Sequence, residues 1–121
     1  MILKLLIMKI KQFEIWIADL NPTIGTEAGK IRPVMVVQTD LLNKYHTSSI
    51  ICPVTTKVQK QSDILRVHLE KGCCGLTEAS DIMIDQIRAI DNRRLIKNLG
   101  MVPSGIISKV KMNLKIVFDL E

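Results

Sequence analysis

A handful of side chains in this sequence could move protons and hold an anion if folding brought them together. Arg32 stands at the end of the stretch LNPTIGTEAGKIRP and is followed by Pro33. A guanidinium is a planar fork of donors that matches two oxygens of a phosphate or carboxylate, and a following proline restricts the backbone beneath it. Glu27 lies five residues earlier in the same stretch and is a candidate proton acceptor or base-edge acceptor. Thr55 follows Pro53 and Val54 at a predicted strand end, where its hydroxyl could face the same ligand. Thr56 is its alternate, because adjacent strand residues point to opposite faces. Arg88 and Gln86 are two residues apart, the strand spacing that puts both on one face. Each also has a plain structural reading: a surface cation before a proline, an ordinary β-favouring threonine, a solvated loop carboxylate, an exposed strand face. Residue types alone leave both readings open.

The two histidines, His46 and His68, raise the question of imidazole acid–base catalysis. His68 alternates with Val67 and Leu69 and is expected to face outward, while His46 sits in a polar connection. A His–His mechanism is therefore not the favoured reading.

The frame that must hold these groups is one domain of 121 residues. Its 47% hydrophobic content is enough for a core without disulfides or metals. With Phe13, Trp16, Tyr45 and Phe118 the only aromatics, that core is aliphatic, and an aromatic sheet that stacks bases is disfavoured. The net charge of +5 points weakly to a polyanion or an acidic protein. Its placement says more: residues 1–60 carry eight Lys/Arg against four acids, residues 61–121 nine against eight. Any phosphate-binding surface is expected in the first half. Cys52, Cys73 and Cys74 are an odd set with two adjacent, neither a disulfide framework nor a zinc pattern, and read as reduced thiols of a cytoplasmic protein. The apolar start MILKLLIMKI is too short to span a bilayer and is interrupted by Lys4. Residues 1–7 read as an extension of uncertain status and 8–121 as the domain.

Short strands are expected at 13–19, 34–39, 49–54 and 64–70, with KGCCGL as a turn. DIMIDQIRAI (81–90) alternates and accommodates a kink between two strands; Asp91 can cap a short helix, and KNLGMV reads as a last strand. Ser104 is a candidate N-cap for the clearest helix, whose Ile106, Ile107, Val110, Leu114 and Val117 form one apolar stripe. Lys109, Lys111 and Lys115 lie off it, on a solvated face. Many short strands and one terminal helix suggest a small bent barrel, SH3-like or OB-like.

EIWIADLNPTIGTEAGKIRPVMVVQTD (14–40) resembles the opening of the MazF/PemK/Kid toxins. The matching elements are Asp19-Leu20-Asn21-Pro22, Gly25-Thr26-Glu27 and Arg32-Pro33, followed in order by CPVTTKVQK (52–60) and DQIRAID (85–91). The resemblance runs from about Met8 to Val117. It implies a mainly β, SH3-like small barrel with a C-terminal helix, of the kind shared by MazF and CcdB. It further implies a type II toxin–antitoxin endoribonuclease, an mRNA interferase, cutting single-stranded RNA without metal or cofactor to leave 2′,3′-cyclic phosphate and 5′-hydroxyl ends. A homodimer, a cognate antitoxin whose tail covers the RNA groove, and no membrane association complete the implied picture.

RNA supplies its own nucleophile in the 2′-hydroxyl. The protein must take that proton, stabilise the phosphorane and protonate the leaving oxygen, and a cation with hydrogen-bond donors can serve the phosphorane. The resemblance assigns Arg32 and Thr55 to the phosphate, with Glu27 as a catalytic helper. Asn21, Thr23, Thr26 and Lys30 of the loop, with Thr56, Gln86 and Arg88, become candidate RNA contacts. The rivals are a CcdB-like toxin of the same fold that binds DNA gyrase and a non-enzymatic nucleic-acid-binding barrel. The presence of Arg32, Thr55 and Arg88 together argues against the gyrase reading.

Overall fold

Aliphatic, β-branched runs become strands here, and the loops fall where Gly, Pro and Asn gather. The computed structural model describes residues 9–62 and 64–121. The strands are β1 (Glu14–Asp19), β2 (Ile31–Val36), β3 (Ser48–Thr55), β4 (Arg66–Leu69), β5 (Ser80–Met83), β6 (Arg88–Asp91) and β7 (Leu95–Met101). Helix α1 is the single turn Asp40–Asn43, and α2 is the terminal helix Ser104–Phe118. Short 3-10 turns occupy Cys73–Gly75, Ile84–Gln86 and Asn92–Arg94. The reading of residues 1–7 as an extension falls within residues 1–8, outside the described residues.

Every strand pair is antiparallel, in the order β4-β5-β3-β2-β1-β7. β3 is the pivot. One edge pairs with β2; the other pairs with β6 through Ser48–Ile51 and with β5 through Val54–Thr55. The turn Ile84–Gln86 lets the chain pass from β5 to β6 and bends the sheet toward a barrel. Among the described residues β4 and β7 are not paired, so the barrel stays open along that seam.

Strand alternation divides the interior in two. One face of the central strands supplies Ile15, Met35, Cys52, Val54, Val67 and Ile82 to the larger core, against which α2 lays Ile106, Ile107, Val110, Leu114 and Val117. The other face supplies Trp16, Ala18, Val34, Val36, Ile51 and Ile90 to a smaller core. Burying each of these large aliphatic side chains stabilises the fold by roughly 1.5–3 kcal/mol. The expected stripe of α2 is thus the one that packs, and its three lysines are exposed. Lys111 does more than meet solvent: its ammonium lies 5.8 Å from the centroid of the Phe13 ring.

Several sequence expectations shift. β2 begins at Ile31 rather than 34, because Ile31, Arg32 and Pro33 pair with Asp19, Ala18 and Ile17. β4 is shorter than 64–70. Ser104 is the first residue of α2 and not its cap; the N-cap is Pro103, which makes no side-chain capping bond. Asp91 does cap, accepting from the Arg93 amide at 2.8 Å ahead of the Asn92–Arg94 turn. The cysteines are free thiols, and burial pushes the Cys52 thiol up to about 12. Among the described residues no helix is long and apolar enough to cross a membrane.

Asn113 is buried on α2 and ties the helix to the strand that follows residue 65. Its Oδ1 accepts from the Leu65 amide at 2.8 Å and its Nδ2 donates to the Lys109 carbonyl at 3.0 Å. Asn113→Ala leaves the half-buried Leu65 amide without that acceptor and should cost about 1–3 kcal/mol of stability, measurable as a lower midpoint in urea unfolding with an unchanged slope.

Candidate active site

The smaller core gives way at the β2 and β3 ends to polar residues on the same face. The β2–β3 pairing ends at Val34 and Pro53, and Arg32 and Thr55, each two residues beyond that pair, lie on its face. Thr55 pairs with Asp81 of β5, and Asp81 pairs with His68 of β4. Paired residues share a face, so Arg32, Thr55, Asp81 and His68 form one row across four strands. Above the row lies a groove of about 520 Å³, which Lys30, Arg32, Thr55, Thr56, Arg66 and Gln86 help to line. Among the described residues no carboxylate lines it, whereas Lys30, Arg32, Lys57 and Arg66 all do.

Arg32 is half-buried, and its Nε donates to the Gly29 carbonyl at 2.7 Å. That bond fixes the plane of the guanidinium while its terminal nitrogens remain for a ligand. The Thr55 Oγ1 accepts from the Lys57 amide at 3.1 Å, which holds the hydroxyl at the strand end. Asn21 closes the loop over β1 and β2: its Oδ1 accepts from the Lys30 amide at 2.9 Å, and the Arg94 Nη1 donates to its carbonyl oxygen. Gly29 lets Thr23 pack close over the loop, since a Cβ there would lie 2.7 Å from Thr23 Cγ2 and turn that side chain aside.

The groove therefore collects Arg32, Thr55, Thr56, Gln86, Thr26 and Lys30 among the residues singled out from sequence. Asn21 braces the loop and Thr23 stands beside Gly29; neither lines the groove. Glu27 also stands outside the lining: its Oε1 accepts from the Ile24 amide at 2.7 Å, and its Oε2 faces the Arg88 Nη1 at 4.0 Å. The Arg88 Nη1 is buried without a hydrogen-bond partner among the described residues, and so attends to Glu27 by charge alone. The expectation that Gln86 and Arg88 share one strand face does not hold, because Gln86 ends the turn Ile84–Gln86 and only Arg88 belongs to β6. His46 lies elsewhere, in a second hollow of about 440 Å³ beside α1 that contains no residue of this row.

Sequence reasoning passed over Asp81, Arg66 and the partner of His68. Asp81 is fully buried, with Oδ1 2.6 Å from His68 Nδ1. Its Oδ2 accepts from the Gln59 amide at 2.9 Å and from Arg66 Nη1 at 3.2 Å. The outward alternation of His68 was legible; the carboxylate that binds it was not, since it comes from a strand thirteen residues away. Burial pushes the Asp81 carboxyl up, but the Gln59 amide, His68 and Arg66 together outweigh it and hold the group below its ordinary 3.8. Because the folded pKa is depressed, this carboxylate stabilises the fold fully above the ordinary carboxylate range, and the contribution fades as pH falls through the folded value. A carboxyl-carbon NMR titration should find Asp81 still mostly ionised at pH 3.8; a midpoint above that pH would contradict the hydrogen-bonding pattern.

Comparison with known proteins adds sequence to geometry. The model of the PemK-like, MazF-like toxins of type II toxin–antitoxin systems matches residues 11–118. The Endoribonuclease EndoA of Bacillus subtilis (strain 168) is 32% identical over 113 residues, which span 93% of this chain and 97% of EndoA. The fold is similar to that of MazF (Form-I) from Deinococcus radiodurans, with a TM-score of 0.80 at 21% identity over 93% of this chain and 99% of that one. It is also similar to an endoribonuclease in complex with its cognate antitoxin from a mycobacterial species, with a TM-score of 0.72 at 17% identity over 93% and 96% of the two chains.

Proposed function

The chain belongs to the PemK-like, MazF-like toxins of type II toxin–antitoxin systems and is an endoribonuclease of that family, and we propose that its reaction runs in the groove that holds Arg32 and Thr55. The observation that carries the reading is their placement on one face at the adjoining ends of β2 and β3, in a groove lined by cations and, among the described residues, by no carboxylate.

A single strand of RNA laid along the groove presents its phosphate to the Arg32 guanidinium, whose orientation the Gly29 carbonyl sets in advance. Donors fixed before the reaction stabilise developing charge without reorganising. Thr55 donates its hydroxyl to the same phosphate while still accepting from the Lys57 amide. The 2′-oxygen attacks in line, the P–O5′ bond breaks, and the departing 5′-oxygen takes a proton from water, leaving a 2′,3′-cyclic phosphate and a 5′-hydroxyl. No metal enters this account, since the guanidinium and hydroxyl carry the electrostatic work. Glu27 is the carboxylate assigned to the 2′ proton. It reaches the groove once the loop releases it from the Ile24 amide, a change that Gly25, at φ 60° with open space around it, permits.

Thr26, Thr56, Lys30 and Gln86 meet the flanking bases and backbone, while Asn21 holds the loop and Arg88 holds Glu27. The antitoxin occludes this groove with an acidic, amphipathic tail that folds on binding. The toxin works in the cytoplasm as a homodimer, and Met112, Ile116 and Phe118, exposed on α2, offer apolar surface for association.

Purified protein in EDTA should cleave a long unstructured RNA at a small set of sequences. Arg32→Ala should lower kcat by on the order of 10²- to 10³-fold, with the circular dichroism spectrum unchanged. A 2′-deoxy substitution at the cleaved nucleotide should abolish cleavage there. Wild-type activity in Arg32→Ala, or cleavage past the deoxy position, would place the chemistry elsewhere. Glu27→Gln should cost roughly 10²- to 10⁴-fold if Glu27 is the base; a loss below about tenfold would assign the proton to another group.

A further inference from the structure

Arg66 is the one groove residue whose attachment resembles a built binding element and which the reaction above leaves unused. It stands on β4 opposite Met83 and two residues from His68, so its side chain leaves the sheet on the groove face. Its guanidinium is largely buried, at 17% side-chain exposure. Asp81 Oδ2 accepts from Nη1 at 3.2 Å and the Lys57 carbonyl accepts from the same nitrogen at 3.3 Å. All the hydrogen bonds it makes among the described residues leave from Nη1, so Nε and Nη2 are available to a ligand in the groove it lines.

Its support is itself supported. The fully buried Asp81 carboxylate also accepts from the Gln59 amide and binds His68. One carboxylate thereby fixes the β3–β4 connection, which brings Lys57 and Gln59 to the groove, and the Arg66 side chain. A guanidinium tethered in this way loses little freedom on meeting an oxyanion. It stands on the third strand from that of Arg32, each spacing about 4.8 Å, and two residues along β4 from His68, the row's member on that strand. Arg32 is tied to Gly29 and Arg66 to Asp81, so the two forks serve different phosphates.

We propose that Arg66, positioned by Asp81, forms a second phosphate subsite of the groove, binding the backbone of a nucleotide that flanks the one cut. The proposal rests on the groove being the RNA site. It assigns Arg66 to affinity and register along the strand, and Asp81 is a positioning residue that acts through it.

The test uses the full chain and an oligoribonucleotide spanning a mapped cleavage site. In Arg66→Gln the amide keeps a donor for Asp81 and the charge is lost. KM should rise on the order of tenfold, as for loss of a charge-assisted hydrogen bond, with kcat moved less than twofold. The slope of log(kcat/KM) against log salt should become shallower by about 0.7, one phosphate contact on a single strand. Arg66→Lys should restore the salt slope while recovering KM only in part. Binding of the same oligonucleotide with a 2′-O-methyl group at the cleaved position, read by fluorescence anisotropy, should weaken in parallel with KM.

Wild-type KM and salt slope in Arg66→Gln would overturn the proposal, as would a fall in kcat as large as that in kcat/KM. Arg32→Ala run alongside separates the two readings. If it is inactive while Arg66→Gln behaves as wild type, the groove stands and the subsite falls. If it is fully active, the groove itself is misassigned.

Discussion

The site depends on the register of β3 against its neighbours. Residues of β3 alternate between the core that α2 covers and the face that holds the smaller core, and Thr55 ends the second series. The same register sets Arg32 on one side of it and Asp81 on the other. A slip by one residue would turn every side chain to the opposite face, sending Thr55 into the apolar interior and Val54 into the groove. Both flanking series, Val34 and Val36 on β2 and Met35 with Cys52 and Val54 toward α2, would be buried wrongly by such a slip. Apolar packing on both faces thus specifies a polar row that has little packing energy of its own.

Electrostatics then divides the row into parts. Cations reach the groove from β2, from the β3–β4 connection and from β4, whereas among the described residues Asp81 and Glu27 are kept out of the lining. Asp81 is fully buried beneath Arg66 and His68, and Glu27 is turned to Ile24 and Arg88. An anion entering the groove meets donors that are already oriented and does not face opposing charge. The loop between β1 and β2 contributes to this by being closed on itself through Asn21 and Gly29, which presents Arg32 in one orientation.

Much of this was legible in the sequence. The kinked pair of strands in DIMIDQIRAI, the capping role of Asp91 and the stripe of α2 all follow from local pattern, and the structure has each. Arg32, Thr55 and Gln86 could be named as candidates, but only a family resemblance raised them above their ordinary structural readings. What local pattern could not give is long-range pairing. Arg66 and His68 read simply as the outward face of a strand, because nothing near them announces that Asp81 lies opposite. The start of β2 was missed for a related reason: Pro33 argues against a strand locally, yet pairing with β1 carries Ile31 to Pro33 into the sheet. Glu27 and Arg88 were expected to act on RNA directly, and their mutual approach depends on a loop conformation that sequence spacing does not encode.

The central claim is that Arg32 and Thr55 act on one phosphate as a unit. A double-mutant cycle on kcat/KM, with Arg32→Ala, Thr55→Ala and the pair against a defined RNA, measures this most directly. Residues that stabilise a single transition state together are strongly non-additive. The account predicts that the double variant is scarcely worse than the more damaged single variant. Losses that multiply independently would contradict it.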